Sequence, residues 1–152
     1  LSPESFREFF HHSFLNPRGF CFERSRLGDP YFDGIFENPR WDSLERLVFQ
    51  GVGVRAKTAR QIAESPHLGN VENLEFYNEL ISDEGLLSLI ESPHLQNVKH
   101  LSLHQCNLTE NSMLALADSR LGSQLESLSI GRNFHTDETA KRLQALNAEV
   151  TI

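Results

Sequence analysis

The chain has 152 residues, 39% hydrophobic and 23% charged, with a formal net charge of -7. That length and balance suit one soluble globular domain with a sizeable core, and the acidic total argues against nucleic acid or an anionic membrane as partner. No apolar run approaches the ~18 residues of a spanning helix.

Residues 1–16 come first. Ser2-Pro3-Glu4 is a helix start: Ser can cap, Pro suits the first turn, and Glu suits the positive end of the dipole. Phe6, Phe9, Phe10 and Phe14 succeed it at helical spacing, with Arg7, Glu8, His11 and His12 on other faces. This segment is expected to be a capping helix over the open apolar end of a repeat stack. The alternative is a Phe-rich helix that docks on a partner. The chain opens on Leu1 rather than Met, which suggests processing, trimming or a longer parent.

From Pro17 an eleven-residue frame recurs. Its starts are Pro17, Leu44, Val71, Val98 and Leu125, each 27 residues after the last. The fourth and sixth positions are Phe20 and Phe22, Leu47 and Phe49, Leu74 and Phe76, Leu101 and Leu103, Leu128 and Ile130. Alternation of this kind marks strands with one buried face. The rest of each unit reads as helix, with capping residues and acids at Asp29-Pro30, Ile81-Ser82-Asp83-Glu84-Gly85, Leu108-Thr109-Glu110 and Thr136-Asp137-Glu138. Helix ends recur at Asn38-Pro39-Arg40-Trp41, Ser65-Pro66-His67-Leu68 and Ser92-Pro93-His94-Leu95, with Asp118-Ser119-Arg120-Leu121 as a variant. Ala148 to Ile152 reads as a final half-strand with Val150 and Ile152 inward, the expected natural end of the stack.

The pattern L-x-x-L-x-L-x-x-N/C-x-L with a helix after it resembles the ribonuclease-inhibitor-like class of leucine-rich repeat proteins, over residues 17–152. Similar compact repeat proteins with Ser-Pro-His-Leu at their helix ends occur in bacteria. The resemblance implies an α/β fold: a right-handed β–α solenoid, bent in a horseshoe arc, with a parallel sheet on the concave face and helices on the convex one. It implies protein binding, often by the concave face, and brings no catalytic residues or cofactor. The ninth position departs from the pattern. It holds Ser25, Val52 and Glu79 before Cys106 and Asn133, so irregular early turns are expected.

In that frame the third, fifth and seventh positions point out and the eighth lies at the rim. They carry three Arg against two Glu, so the acidity belongs to helices and loops. Tyr77 beside His104, Glu75 beside Ser102 and Asn73 beside His100 form the most varied part of the face. An aromatic among polar groups is hot-spot chemistry. The expected contacts to a partner protein are Arg46, Glu75, Tyr77, Asn78, His100, His104, Gln105 and Arg132. The chain is expected to be a monomeric interaction module. The alternative is a structural or regulatory domain of a larger protein, touching through its convex helices or Phe-rich end.

Other chemistry fares worse. Ser102 lies between His100 and His104 with Glu75 alongside, but same-face neighbours on a strand are ~7 Å apart and no oxyanion hole accompanies them. The chain is therefore not expected to be an enzyme. His100 and His104 are ~13 Å apart, too far to share a metal. His67, His94, Arg40 and Arg120 occupy one repeated site, which reads as a cation at a helix C-terminus. Cys21 and Cys106 fall three turns apart, beyond disulfide reach. Two free thiols point to a reducing, cytoplasmic setting, with Cys106 as a ladder residue and Cys21 exposed.

Overall fold

A computed structural model describes residues 2–12 and 16–152. The fold is α/β. One six-stranded parallel sheet runs in chain order: β1 (Gly19–Glu23), β2 (Arg46–Gln50), β3 (Asn73–Tyr77), β4 (His100–His104), β5 (Ser127–Ser129) and β6 (Glu149–Thr151). It is flanked by α1 (Pro3–His12), α2 (Asp29–Phe32), α3 (Ala56–Glu64), α4 (Ser82–Glu91), α5 (Glu110–Ala117), α6 (Arg120–Gln124) and α7 (Asp137–Gln144). Strand register obeys the sequence period. Phe20, Leu47, Leu74, Leu101 and Leu128 are successive partners, and Val150 continues the row.

Alternation decides which face is covered. In β3 and β4, Leu74, Phe76, Leu101 and Leu103 are buried while their neighbours are half-exposed. The buried side chains join those of the helices in one core. The sixth-position rings stack because register sets them one strand apart: Phe22 on Phe49 at 5.3 Å and Phe49 on Phe76 at 5.2 Å. At the N-terminal end, Phe6 and Phe10 of α1 close this core against Phe20, Phe22 and Trp41. Ser2 Oγ accepts the Ser5 N–H, as its capping role requires. Phe9 is the exception, 56% exposed. Phe14 and Leu1 lie outside the described residues.

Four local expectations are corrected. The first unit has no full helix: α2 spans four residues, then short 3-10 turns cover Ile35–Glu37 and Pro39–Ser43. Gly34, at φ 73°, breaks the run. The apolar positions still hold, since Phe32, Ile35, Phe36 and Trp41 are all buried. In the fourth unit, Asp118 to Leu121 is not a simple helix end. Ser119 caps a second helix, α6. That junction needs Gly122, where a Cβ would collide with the Leu116 carbonyl oxygen.

The expected caps form the third correction: Ile81 stands at the cap of α4 and Thr109 at that of α5, neither with a side-chain cap bond. The acids lie in the first turns as expected, but their carboxylates accept from the next unit. Asp29 accepts the Arg55 N–H at 2.8 Å and the Thr58 hydroxyl at 2.6 Å. Asp83 does the same for Thr109 N–H and Ser112, at 2.8 and 2.6 Å. Glu110 takes Thr136 and Thr139 at 2.8 and 2.9 Å. Only at Thr136 does the expected local cap form, accepting from Thr139 N–H. The fourth correction is Val48. Alternation puts it on the outward face, yet it is only 4% exposed. It lies outside the main core, between Cys21 and Glu75 in register.

Candidate recognition face and rim

The sheet face opposite the helices is built by the third, fifth and seventh positions. On its lower half, Arg46 Nε donates to Glu75 Oε1 at 2.7 Å and Tyr77 Oη to Glu75 Oε2 at 2.9 Å. Glu75 thus uses both oxygens to hold two neighbours. Its side chain is 13% exposed, against 57% for Arg46. The hydrogen bond and charge of Glu75 raise the Arg46 guanidinium above its ordinary value. Desolvation, more than the Glu75 carboxylate, pushes the Tyr77 phenol up. These polar side chains flank Val48, which explains how an apolar residue is buried on the open face.

Strand register brings Tyr77 against His104, Glu75 against Ser102 and Asn73 against His100. The Tyr77 and His104 rings sit 6.3 Å apart. His104 lies over Gly131 of the next unit, where a Cβ would come within 2.8 Å of its Cδ2. His100 Nδ1 is 2.8 Å from Ser127 Oγ, a cross-strand bond that alternation could have foretold. No hydrogen bond between side chains joins Ser102 to either histidine among the described residues. Among the described residues, Glu75 is instead bonded to Arg46 and Tyr77, His100 to Ser127, and His104 packs beside Tyr77.

The rim has its own geometry. Arg24, Gly51, Asn78, Gln105 and Arg132, the eighth positions, all have left-handed backbones, with φ 44°, 63°, 56°, 55° and 60°. The N–H groups of the first four reach the next unit: Arg24 to Gln50 O at 2.8 Å, Gly51 to Tyr77 O at 3.0 Å, Asn78 to His104 O at 2.9 Å and Gln105 to Gly131 O at 2.9 Å. Main-chain bonding thus continues while the chain turns, and the side chains of Arg24, Asn78, Gln105 and Arg132 stand exposed. A 410 Å³ cleft is lined by Arg24, Tyr77, Asn78, His104, Gln105 and Arg132, among others. Five of the expected contact residues meet there. Arg46, Glu75 and His100 lie outside it. Arg24 is absent from the expected contacts, although its repeat position equals that of Arg132.

The rim rests on ninth-position residues. Glu79 is fully buried. It accepts N–H bonds from Val52, Gly53 and Val54 of the preceding unit at 2.7, 2.8 and 2.9 Å. Asn133 accepts from Cys106 N and Leu108 N at 2.9 and 3.2 Å. The expected irregularity at Glu79 is therefore not found: a carboxylate fills the ladder site. Burial pushes the Glu79 carboxyl above its ordinary value, against the pull of those N–H donors. Cys106 Sγ donates to the Phe76 carbonyl at 3.4 Å, and burial pushes its thiol up to about 12. Cys21 is exposed, and both cysteines are free.

The repeated cation site also resolves. Arg120 donates to the Ser92 carbonyl at the end of α4, at 2.8 Å, and Arg40 donates to the His11 carbonyl at 3.0 Å. His67 Nδ1 meets Asp42 at 2.9 Å. Among the described residues, no three His, Cys, Asp or Glu converge to hold a metal. No helix there is long and apolar enough to cross a membrane. Neither a scan against protein-family models nor a search of curated proteins returns a match for this chain, so its function has to be argued from the site itself.

Proposed function

We propose that this chain is a leucine-rich repeat solenoid of the ribonuclease-inhibitor-like class that binds a partner protein through its open, concave face. It acts as a monomer in a reducing compartment, the cytoplasm. Five strands offset by one constant 27-residue period support the repeat assignment. The observation that carries the binding assignment is the cleft where Tyr77, Asn78, His104, Gln105 and Arg132 meet. Tyr77 is already held by Glu75, so less rotamer entropy is lost on contact.

Partner capture tests it. Tyr77→Ala and His104→Ala should each weaken a captured partner by about tenfold or more, as hot-spot truncations of ~2 kcal/mol do. Charge reversals on the helices, at Glu64 and Glu91, should leave capture intact. Loss in the helix variants with retention in Tyr77→Ala would overturn the assignment.

One observation favours a second role, as a domain of a larger protein. A 460 Å³ groove lined by Phe6, Phe9, Phe10, Phe20, Phe22 and Leu27 opens beside the unpaired edge of β1. An apolar groove of that kind suits burial by further protein.

A further inference from the structure

The eighth, tenth and twelfth positions together form the edge of the molecule beyond the C-terminal ends of the strands. Five units supply Arg24, Arg26 and Arg55 at one end and Arg132 at the other, and no Asp or Glu at any of these positions. On a chain of net charge -7 this is a marked segregation. Among the described residues, no ion pair reaches any of the four arginines. The nearby acids are largely committed elsewhere. Glu79 is buried under backbone N–H groups, Asp29, Asp83 and Glu110 serve the next unit, and Glu84 pairs with Arg60. Exposed Glu23 remains beside Arg24, holding the Cys21 thiol, and exposed Asp137 and Glu138 follow Thr136 at the Arg132 end. The opposite edge is balanced by contrast, with Arg18 paired to Glu45 and Lys99 to Glu72.

The same edge carries two of the large exposed apolar side chains, Leu80 at 55% and Phe134 at 71%. A second cleft, of 420 Å³, is lined by Arg26, Gly53 and Leu80 and shares Gly51 and Asn78 with the first. Gly51 and Gly53 put no side chain on this shared floor, leaving bare backbone between Arg26 and Leu80. With strands ~4.8 Å apart, Arg24 and Arg132 are separated by ~19 Å. One phosphate or carboxylate cannot reach both, whereas about six residues of extended peptide can.

We infer that the rim binds an extended acidic segment of a partner protein, its carboxylates meeting Arg24, Arg26 and Arg132 and an apolar residue resting on Leu80. Arginine suits this, since its fork takes a carboxylate through two parallel bonds. The inference rests on the concave-face assignment and narrows the partner to an acidic one.

A fluorescein-labelled peptide, Glu-Glu-Leu-Glu-Glu-Leu-Glu-Glu, tests it by fluorescence anisotropy at low salt. Saturable binding should weaken by about tenfold or more in the double variant Arg24→Glu/Arg132→Glu. It should weaken with added salt, and stay unchanged in Lys141→Glu, which reverses a cation on α7. Thermal unfolding by circular dichroism confirms that the variants fold. Absent binding to the wild type, equal weakening in Lys141→Glu, or equal affinity for a single-stranded DNA oligonucleotide would each overturn the inference. If Tyr77→Ala still abolishes partner capture while the peptide does not bind, the acidic-segment inference falls and the face assignment stands. If peptide binding depends on the arginines but capture ignores Tyr77, the reverse holds.

Discussion

Glu79 offers a quantitative test of how the turns are held. Replacing it by Ala removes the acceptor of the Val52, Gly53 and Val54 N–H groups, now at 2.7, 2.8 and 2.9 Å. Val52 and Val54 are fully buried, so their N–H groups gain no water in exchange. Each stripped buried donor costs ~1–3 kcal/mol, or ~2–6 for the two. Relief from burying a charge takes part of that back, leaving a net loss of about 3 kcal/mol. Glu79→Gln keeps one acceptor oxygen but turns an amide donor toward an N–H, so it should lose about half as much. Equilibrium unfolding in urea measures both. The pH dependence has a definite sign. Burial raises the folded carboxyl above the ordinary 4.5, so the folded state binds more proton than the unfolded one between those values. Wild-type stability from this group therefore grows as pH falls through that window, and is lost as pH rises through the folded value. The gap between wild type and Glu79→Gln should widen as pH falls from above the raised folded value toward the ordinary 4.5. An Ala variant within about 0.5 kcal/mol of wild type would refute the ladder role, and a narrowing gap would show that the N–H donors outweigh burial.

Three further outcomes are expected. Gly122→Ala should cost about 2–3 kcal/mol in chemical denaturation, because its Cβ meets the Leu116 carbonyl and the junction of α5 and α6 has to move; a neutral result would mean the junction is soft. Asp83→Ala should cost about 1–2 kcal/mol by stripping Thr109 and buried Ser112 of their acceptor. Burial would raise the Asp83 carboxyl, but hydrogen bonds from Ser112 and Thr109 together hold it below the ordinary 3.8. Its stabilisation is therefore present above that value and lost as pH falls through the depressed one, and acid-unfolding curves of wild type and Asp83→Ala should converge there. A thiol reagent should modify Cys21 in the folded protein and Cys106 only on unfolding, since Cys106 is buried with its thiol pushed up to about 12; two fast-reacting thiols in folded protein would contradict this.

What was legible in the sequence was what repetition forces. Core positions must be apolar in every unit, so Leu47, Leu74, Leu101 and Leu128 announced the register, and the register delivered Tyr77 beside His104. Unit-to-unit chemistry was hidden, because its partners stand 24 to 30 residues apart and local capping rules look only three or four residues ahead. Asp29 does start its own helix, but nothing local shows that it also serves Arg55 and Thr58. Glu79 looked like a defect because the pattern asks for Asn or Cys, and a longer carboxylate reaches the same N–H groups. Val48 looked exposed because alternation says nothing about the long polar neighbours that can roof a small residue.

The acid-to-hydroxyl link between units also shows why one junction differs from the rest. Asp29 meets Thr58, Asp83 meets Ser112 and Glu110 meets Thr139. At the remaining junction the acid position is Ala56 and the hydroxyl position is Gly85, so both partners are gone together. A Cβ on Gly85 would lie 3.1 Å from the Ala59 and Ile81 Cβ atoms and 3.3 Å from Ala56 Cα. The two helices there pack backbone against backbone, and dispersion replaces a buried hydrogen bond. Losing only one partner would have left a buried polar group unpaired, the costlier outcome. This tight junction joins the unit of Arg46 and Gly51 to that of Glu75 and Tyr77. The α3 and α4 pair thus packs closest between the same two units whose Arg46, Glu75 and Tyr77 are linked on the sheet. For the proposed partner this matters at Tyr77, whose hydroxyl is already tied to Glu75 and so has less rotamer freedom to lose on contact.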